Sequence, residues 1–300
     1  MTIETRQLRY FIAVAEEKHF GRAAEKLRMA QPPLSQQIKQ LETALSATLL
    51  NRSTRSVELT PAGELLLERG RRIIDELDSI SATIKRFGQG LEGILRIAFT
   101  GTSTYGIMPR VVRRASQAFP GLSLEVSGEN LTPQMISGLE ANRFDIAILR
   151  PPFSSTQIEH TVVMSERLVA AVPAGSSLAQ RNELFMTDLA DQEFVGYPSN
   201  STVSQALSAA WLKREVQPNT TQTVSETSTL LSLVAAGVGI ALVPESATSI
   251  QIGGTHFIAV RDAPSVELAI AWRKDDSSPA VRNFLPFLED LVRNPQESGS

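Results

Sequence analysis

The sequence predicts an α/β protein in three parts: a small helical head with a hairpin wing, one long amphipathic helix, and a two-lobed α/β body. Three observations predict it. The first sixty residues carry short helical periodicities that end in a hairpin-like stretch. Residues 62–87 contain no proline and place Leu66, Ile73, Leu77, Ile80, Ile84 and Phe87 on a seven-residue repeat. Beyond residue 93, strand-like and helix-like runs alternate, the pattern of βαβ units around a mostly parallel sheet.

Composition narrows the function classes. A chain of 300 residues is long enough for about two domains. Cysteine is absent, which excludes disulfides, thiol chemistry and Cys-based metal sites and fits a reducing compartment. Near the N-terminus the longest apolar run is residues 11–15. A signal peptide needs about 7–15 such residues and a transmembrane helix about 20, so a cytoplasmic protein with no membrane partner is expected. Net charge is −3 and unevenly spread: residues 1–60 hold nine Lys and Arg against six Asp and Glu, the rest 20 against 26. A basic head on an acidic body suits a head that meets phosphates.

Within the head, Leu8, Phe11, Ile12 and Ala15 recur at helical spacing, so a helix spans roughly residues 5–17. Residues 20–28 follow, with Ala23, Ala24 and Leu27 on one face, small enough for close packing. The stretch QPPLSQQIKQLE then starts a helix with Pro32 and Pro33 in its first turn, where a missing N–H costs little. Leu34, Ile38, Leu41 and Leu45 form its inward stripe. Pro32, Gln36, Lys39 and Gln40 are left outward, with Ser35 on the shoulder. Gln reads adenine bidentately, Ser serves base or phosphate, and Lys suits guanine or phosphate. Two short helices with such a face on the second match a helix-turn-helix on DNA. After them, LLNRSTRSVELTPAG reads as a hairpin with Arg52 and Arg55 at its tip, placed for phosphates or the minor groove, and Thr60 caps the next helix. The plain alternative is a small helical domain with a solvated polar face; the Pro-started helix followed by an Arg-tipped wing favours DNA.

The heptad seam of residues 61–87, with Gly70 in the vacant position, predicts pairing with a second helix. Burial against its own domain is the alternative. Two heads so joined would address half-sites about one helical turn apart. GQGLEG, with three glycines in six residues, reads as a hinge over residues 88–92.

In the body, ILRIAF, LSLEVSGE, FDIAILR, LVAAVPAGS, EFVGYPSNS, GIALVPES and VELAIAWRK read as strands. Helices are expected at 107–119, 133–143, 203–214, 227–236 and 280–293. Ligands in open α/β sheets gather at strand carboxyl ends. The first strand ends in Thr100, Gly101, Thr102, Ser103 and Thr104 ahead of a helix, where hydroxyls and amides can hold a carboxylate. Thr132 precedes Pro133 as a candidate N-cap. Tyr197, Ser199 and Asn200 follow the strand EFVG, the tyrosine offering a ring to pack on a ligand. Arg150 ends FDIAIL and Glu226 starts a helix; they are expected near the cleft, pairing across it or leaving Arg150 to an anionic ligand. Ordinary turn and capping chemistry is the alternative for each of these positions.

Enzyme signatures fail on inspection. GTSTYG places its second glycine one position late for a nucleophile elbow, and His19, His160 and His256 have neither triad nor zinc-ligand spacing. GVGIAL precedes a strand where a dinucleotide fingerprint would follow one. No catalysis, cofactor or metal is expected.

The segments LRYFIAVAEEKHFGRAAEKLRMAQPPLSQQIKQLE and RSTRSVELTPAGE resemble the winged helix-turn-helix of LysR-type transcriptional regulators, and the resemblance runs over essentially the full chain. AQPPLS is most similar to the subgroup controlling breakdown of aromatic compounds. The resemblance implies four parts: a winged helix-turn-helix over 1–60, a linker helix over 61–87 that pairs antiparallel with its mate, a hinge over 88–92, and a periplasmic-binding-protein-like effector domain over 93–300. The last would have lobe I at 93–164 and 265–300 and lobe II at 165–264. It implies double-stranded promoter DNA as partner, contacted through Gln31, Pro32, Ser35, Gln36, Lys39, Arg52 and Arg55. It further implies a tetramer of two stalk-paired dimers, contact with RNA polymerase, and an aromatic acid or ring-cleavage dicarboxylate as effector. Thr102, Thr132 and the segment from Tyr197 to Asn200 match effector-contacting positions of aromatic-responsive relatives. Three positions depart from the pattern: Gln36 stands where many relatives carry Arg, Ser46 where Gly is common, and Leu50 where Phe is common. The competing readings are a solute-binding module with an accessory head, and a hydrolase built on Ser103.

Overall fold

Local helical periodicity governs the first sixty residues of the computed structural model, which describes residues 3–52 and 57–294. Helices α1 (Thr5–Glu17), α2 (Phe20–Lys26) and α3 (Gln31–Leu45) bury Phe11, Val14, Ala23, Leu34, Ile38 and Leu41 against one another. The hairpin β1 (Leu50–Arg52) and β2 (Val57–Leu59) is antiparallel and adds Leu50 and Val57 to that core. Helix α4 (Pro61–Gly88) starts at Thr60, whose Oγ1 accepts from Gly63 N at 3.0 Å and donates to the Thr48 carbonyl at 2.7 Å. Along α4 the heptad residues Ile73, Leu77, Ile80, Ile84 and Phe87 are exposed, while Ile74 is buried. No described helix is long and apolar enough to cross a membrane.

The chain divides into two contact-dense units, residues 1–86 and 87–300. In the second, the expected hinge is folded into a turn. Gly90 has φ +69° and lies against the backbone of Pro279 and Ala280, where a Cβ would come within 2.4 Å, and Asn283 Nδ2 donates to the Gln89 carbonyl at 2.8 Å. Only glycine fits there. The elements that follow are β3 (Gly93–Thr100), α5 (Ser103–Gly106), α6 (Met108–Ala118), β4 (Leu122–Asn130), α7 (Thr132–Glu140), β5 (Ile146–Leu149) and β6 (Ile158–Pro173). Next come β7 (Glu183–Leu184), β8 (Glu193–Gly196), α8 (Thr202–Leu212), β9 (Asn219–Thr223), α9 (Thr227–Ala235), β10 (Ala241–Pro244), β11 (Thr255–Val260), β12 (Ser265–Arg273) and α10 (Pro279–Arg293).

The expectation of a mostly parallel sheet needs correction. β3 pairs parallel with β4 and β5, but β12 runs antiparallel to both β5 and β6. The cause is β6, a single strand longer than the run LVAAVPAGS suggested. Its first part pairs with β12 in lobe I, and residues 168–173 pair with β10 and β11, both antiparallel, in lobe II. β6 carries the chain between lobes and β12 brings it back, so the two lobes meet where these strands lie side by side. Both faces of the lobe I sheet are covered. Leu95, Ile97 and Phe99 pack with Val111, Phe284 and Leu288 on one face, and Ala98, Ala147 and Leu149 with Met135 and Leu139 on the other.

Candidate functional site

The head presents one polar helix face. His19 caps α2 through Nδ1, which accepts from Gly21 N (3.0 Å) and Arg22 N (3.3 Å). The turn to α3 passes through Arg28 at φ +53°, with Met29 N donating to the Ala24 carbonyl at 3.0 Å. Behind α3, Leu34, Ile38 and Leu41 are fully buried, so the helix cannot rotate about its axis. Gln31, Pro32, Gln36, Lys39 and Gln40 are exposed on the opposite face, and Ser35 is half-buried between the two. Gln7 Nε2 donates to Gln37 Oε1 at 3.4 Å, on the flank that faces α1. The hairpin is pinned to α3 by Glu42, whose Oε1 accepts from Leu49 N (2.9 Å) and Leu50 N (3.2 Å), a contact that sequence periodicity does not reveal. Arg55 and the side chain of Arg52 lie outside the described residues.

In the body, a pocket opens between the lobes. From lobe I it is lined by Thr100, Gly101, Thr102, Leu131, Thr132 and Arg150, and from lobe II by Tyr197, Ser201, Thr202, Val203, Ser225, Thr227 and Pro244. Its chemistry is set by helix ends. Thr132, Thr202 and Thr227 are the first residues of α7, α8 and α9, so three helices direct their N-termini into one cavity. Unpaired amides and partial positive charge at such ends favour a negative group.

Arg150 sits at the junction. Its guanidinium is buried with the Glu166 carboxylate of β6, and Nη2 also donates to Thr102 Oγ1 at 3.1 Å. The other Glu166 oxygen accepts from Ser246 N at 3.3 Å. The Arg150 carbonyl accepts from Thr132 Oγ1 (3.0 Å) and Thr202 Oγ1 (2.9 Å), one hydroxyl from each lobe. Tyr197 OH meets Thr227 Oγ1 at 3.0 Å, and burial pushes its phenol up to about 12, so it stays neutral. A pocket lined by hydroxyls, a neutral phenol and helix ends, with its one guanidinium already paired, is built to bind; its lining holds no general base.

Several expectations are corrected here. Arg150 does not pair with Glu226. Its partner is Glu166, a strand residue lying across β12, and Glu226 is an exposed N-cap outside the cavity. Thr132 is not the α7 cap: that position is Leu131, and the Thr132 hydroxyl is taken by the Arg150 backbone. Ser199 and Asn200 are exposed and do not line the pocket. α8 begins at Thr202, so Ser201 and Thr202 face it instead. Ser103 is buried beside the pocket with its Oγ unpartnered, and it does not line the cavity. Thr100, Thr102, Thr132, Arg150 and Tyr197 are brought together. Sequence reasoning missed Glu166, Ser201, Thr202, Ser225 and Thr227; a Ser or Thr directly before or at a helix start was the available signal for three of these five.

Comparison with known proteins adds two family matches. Residues 5–64 match the bacterial regulatory helix-turn-helix protein, lysR family, and residues 88–293 match the LysR substrate binding domain. The chain is 35% identical to the HTH-type transcriptional regulator AlsR of Bacillus subtilis over 94% of each chain. It is 35% identical to the HTH-type transcriptional regulator BenM of Acinetobacter baylyi over 96% of each. Among solved structures, full-length CbnR in complex with its target DNA superposes with a TM-score of 0.81 at 27% identity, covering 97% of this chain and all of that one.

Proposed function

Because the chain belongs to the LysR family of DNA-binding transcriptional regulators, we propose that its interlobe cavity binds a small organic acid that controls promoter activity. The chain is a regulator and not an enzyme, with a DNA-binding head and an effector-binding body. The observation that carries the effector reading is the convergence of the α7, α8 and α9 N-termini on a hydroxyl-lined pocket whose only guanidinium is already neutralised by Glu166. Such a site attracts a carboxylate through helix ends and hydroxyls, while the Tyr197 ring offers packing area to a flat body. An aromatic acid or a ring-cleavage dicarboxylate meets that description, and the AQPPLS signature supports the aromatic-degradation subgroup.

On DNA, Gln31, Pro32, Ser35, Gln36 and Lys39 read or position the major groove, and Arg52 and Arg55 meet phosphates. The exposed seam of Ile73, Leu77, Ile80, Ile84 and Phe87 pairs with a second copy, and sensor bodies join two such dimers into a tetramer. A ligand acts by binding one arrangement of the lobes more tightly than another, which changes the spacing of the heads and with it the contact to RNA polymerase. The protein works in the cytoplasm, where that DNA lies.

Thermal melts against benzoates, salicylate, muconates and unrelated metabolites test the effector reading. A ligand at a hundred times its dissociation constant adds about 2.7 kcal/mol to the folded state. A rise in midpoint confined to organic acids and lost in Thr102→Val is expected. A panel in which neutral metabolites act as strongly as acids would overturn it.

A further inference from the structure

Helix α4 carries two stripes with different partners. Its buried residues are Gly63, Gly70 and Ile74. At 100° per residue they lie roughly 70° around the axis from the exposed seam of Ile73, Leu77, Ile80 and Ile84. Gly70, which the heptad reading leaves as a vacancy in the seam, therefore belongs to the other stripe. It is the point at which α1 crosses. Leu8, itself buried, lies so close that a Cβ on Gly70 would meet Leu8 Cδ1 at 2.7 Å. One stripe thus holds the chain's own head, and the other is left for a second copy.

Two ion pairs brace the crossing. Arg9 Nη1 donates to Asp78 Oδ2 at 3.1 Å, and its Nη2 donates to Oδ1. Arg71 donates to Glu16 Oε1 from Nε (3.3 Å) and from Nη2 (2.8 Å). On the helical wheel, Arg71 and Asp78 fall on the side of the buried stripe away from the seam. The second Glu16 oxygen accepts from Lys26 Nζ of α2 at 3.3 Å, so the stalk is tied to α2 as well. Helix α1 in turn shares one core with α3 through Phe11, Val14, Leu34 and Ile38. A tilt of α1 on α4 therefore carries α3 with it.

We infer that the Leu8–Gly70 crossing is a positioning contact for DNA recognition: it fixes the angle between α3 and the pairing seam of α4, and so the half-site separation that two joined heads accept. The inference rests on the seam joining two copies and on α3 reading the major groove. The groove returns to the same face of the duplex about every 10–10.5 base pairs, so a head rotated about its stalk meets it out of phase. The bracing pairs are exposed and add little to folding stability, which lets them be altered without touching the core.

The test uses the full chain on duplexes that the wild type selects from a random pool, with the half-site separation then lengthened and shortened in single base-pair steps. Wild type is expected to favour one separation by about tenfold. In Gly70→Leu that preference should be lost or moved to another separation, with the base preference of each half-site unchanged. The swap Leu8→Ala with Gly70→Leu returns volume to the crossing from the other side and should restore it. Asp78→Arg should weaken the preference by about threefold, and the charge exchange Arg9→Asp with Asp78→Arg should regain it. If Gly70→Leu and Asp78→Arg keep the wild-type preference, the positioning role falls and the seam reading stands. The role falls equally if the variants lose affinity to the same degree at every separation, since the crossing then only stabilises the head. If wild type binds a single half-site as tightly as a pair, the seam reading itself fails and this inference with it. Should Gly70→Leu not fold, the Arg9 and Asp78 variants decide alone.

Discussion

The polar face of α3 and the cavity between the lobes are both lined by short polar side chains, yet they are built in opposite ways. The helix face comes from one continuous segment whose register is fixed by Leu34, Ile38 and Leu41 behind it. The cavity is assembled from separate segments that meet only because β6 and β12 carry the chain twice between lobes. In the first, the polar residues contribute little to folding and are free to change without disturbing the core. In the second, Thr102, Thr132 and Thr202 are hydrogen-bonded into the junction around Arg150, so they hold the lobes as well as line the site.

Substitutions can break or sharpen this contrast. The largest effect is expected from Glu166→Ala, which leaves the Arg150 guanidinium buried without its counter-charge and should cost about 3–5 kcal/mol in urea unfolding. The double change Arg150→Met with Glu166→Leu should recover most of that loss, since well-packed apolar pairs often replace buried ion pairs without penalty. A cost below about 1 kcal/mol for Glu166→Ala would show that the junction is wetter than described. In the head, Ile38→Ala removes a fully buried side chain and should cost about 2–5 kcal/mol in the same measurement.

Thr132→Val keeps its volume but removes the donor to the Arg150 carbonyl, with an expected loss of about 1 kcal/mol measured by denaturant unfolding. Ile80→Lys, on the exposed seam of α4, should leave the cores of both units intact while making the assembly dissociate at higher protein concentration, read by analytical ultracentrifugation. At the bottom of the scale, Gln36→Ala should change unfolding by less than about 0.5 kcal/mol, because its side chain is exposed on the helix.

The same contrast explains what could be read from the residues alone. Helices of the head and the cap at Thr60 follow from local periodicity and turn chemistry, and they stand where those rules put them. The body was harder. β6 changes character along its length: from Glu159 to Ser165 no position is buried, and from Leu168 to Val172 it is buried throughout, so only its second half reads as a strand. β9, NTTQT, is exposed at every position and carries no apolar pattern. The cavity suffered from a boundary. A helix placed at 203 directs attention to Ser199 and Asn200, whereas a helix that begins at Thr202 puts Ser201 and Thr202 in the wall. Arg150, just past β5, and Glu166 on β6 are sixteen residues apart with β12 between the two strands, a neighbourhood that no local pattern encodes.

The central claim, a DNA-reading head whose specificity lies on one helix face, is tested most directly by selecting duplexes from a random-sequence pool with the full-length protein and with Gln36→Ala. The expected result is a shared motif in which base preference is lost at one position per half-site, since a bidentate base contact is worth about 1–3 kcal/mol of discrimination. Identical motifs and affinities for the two proteins would contradict the assignment of α3 as the reading helix.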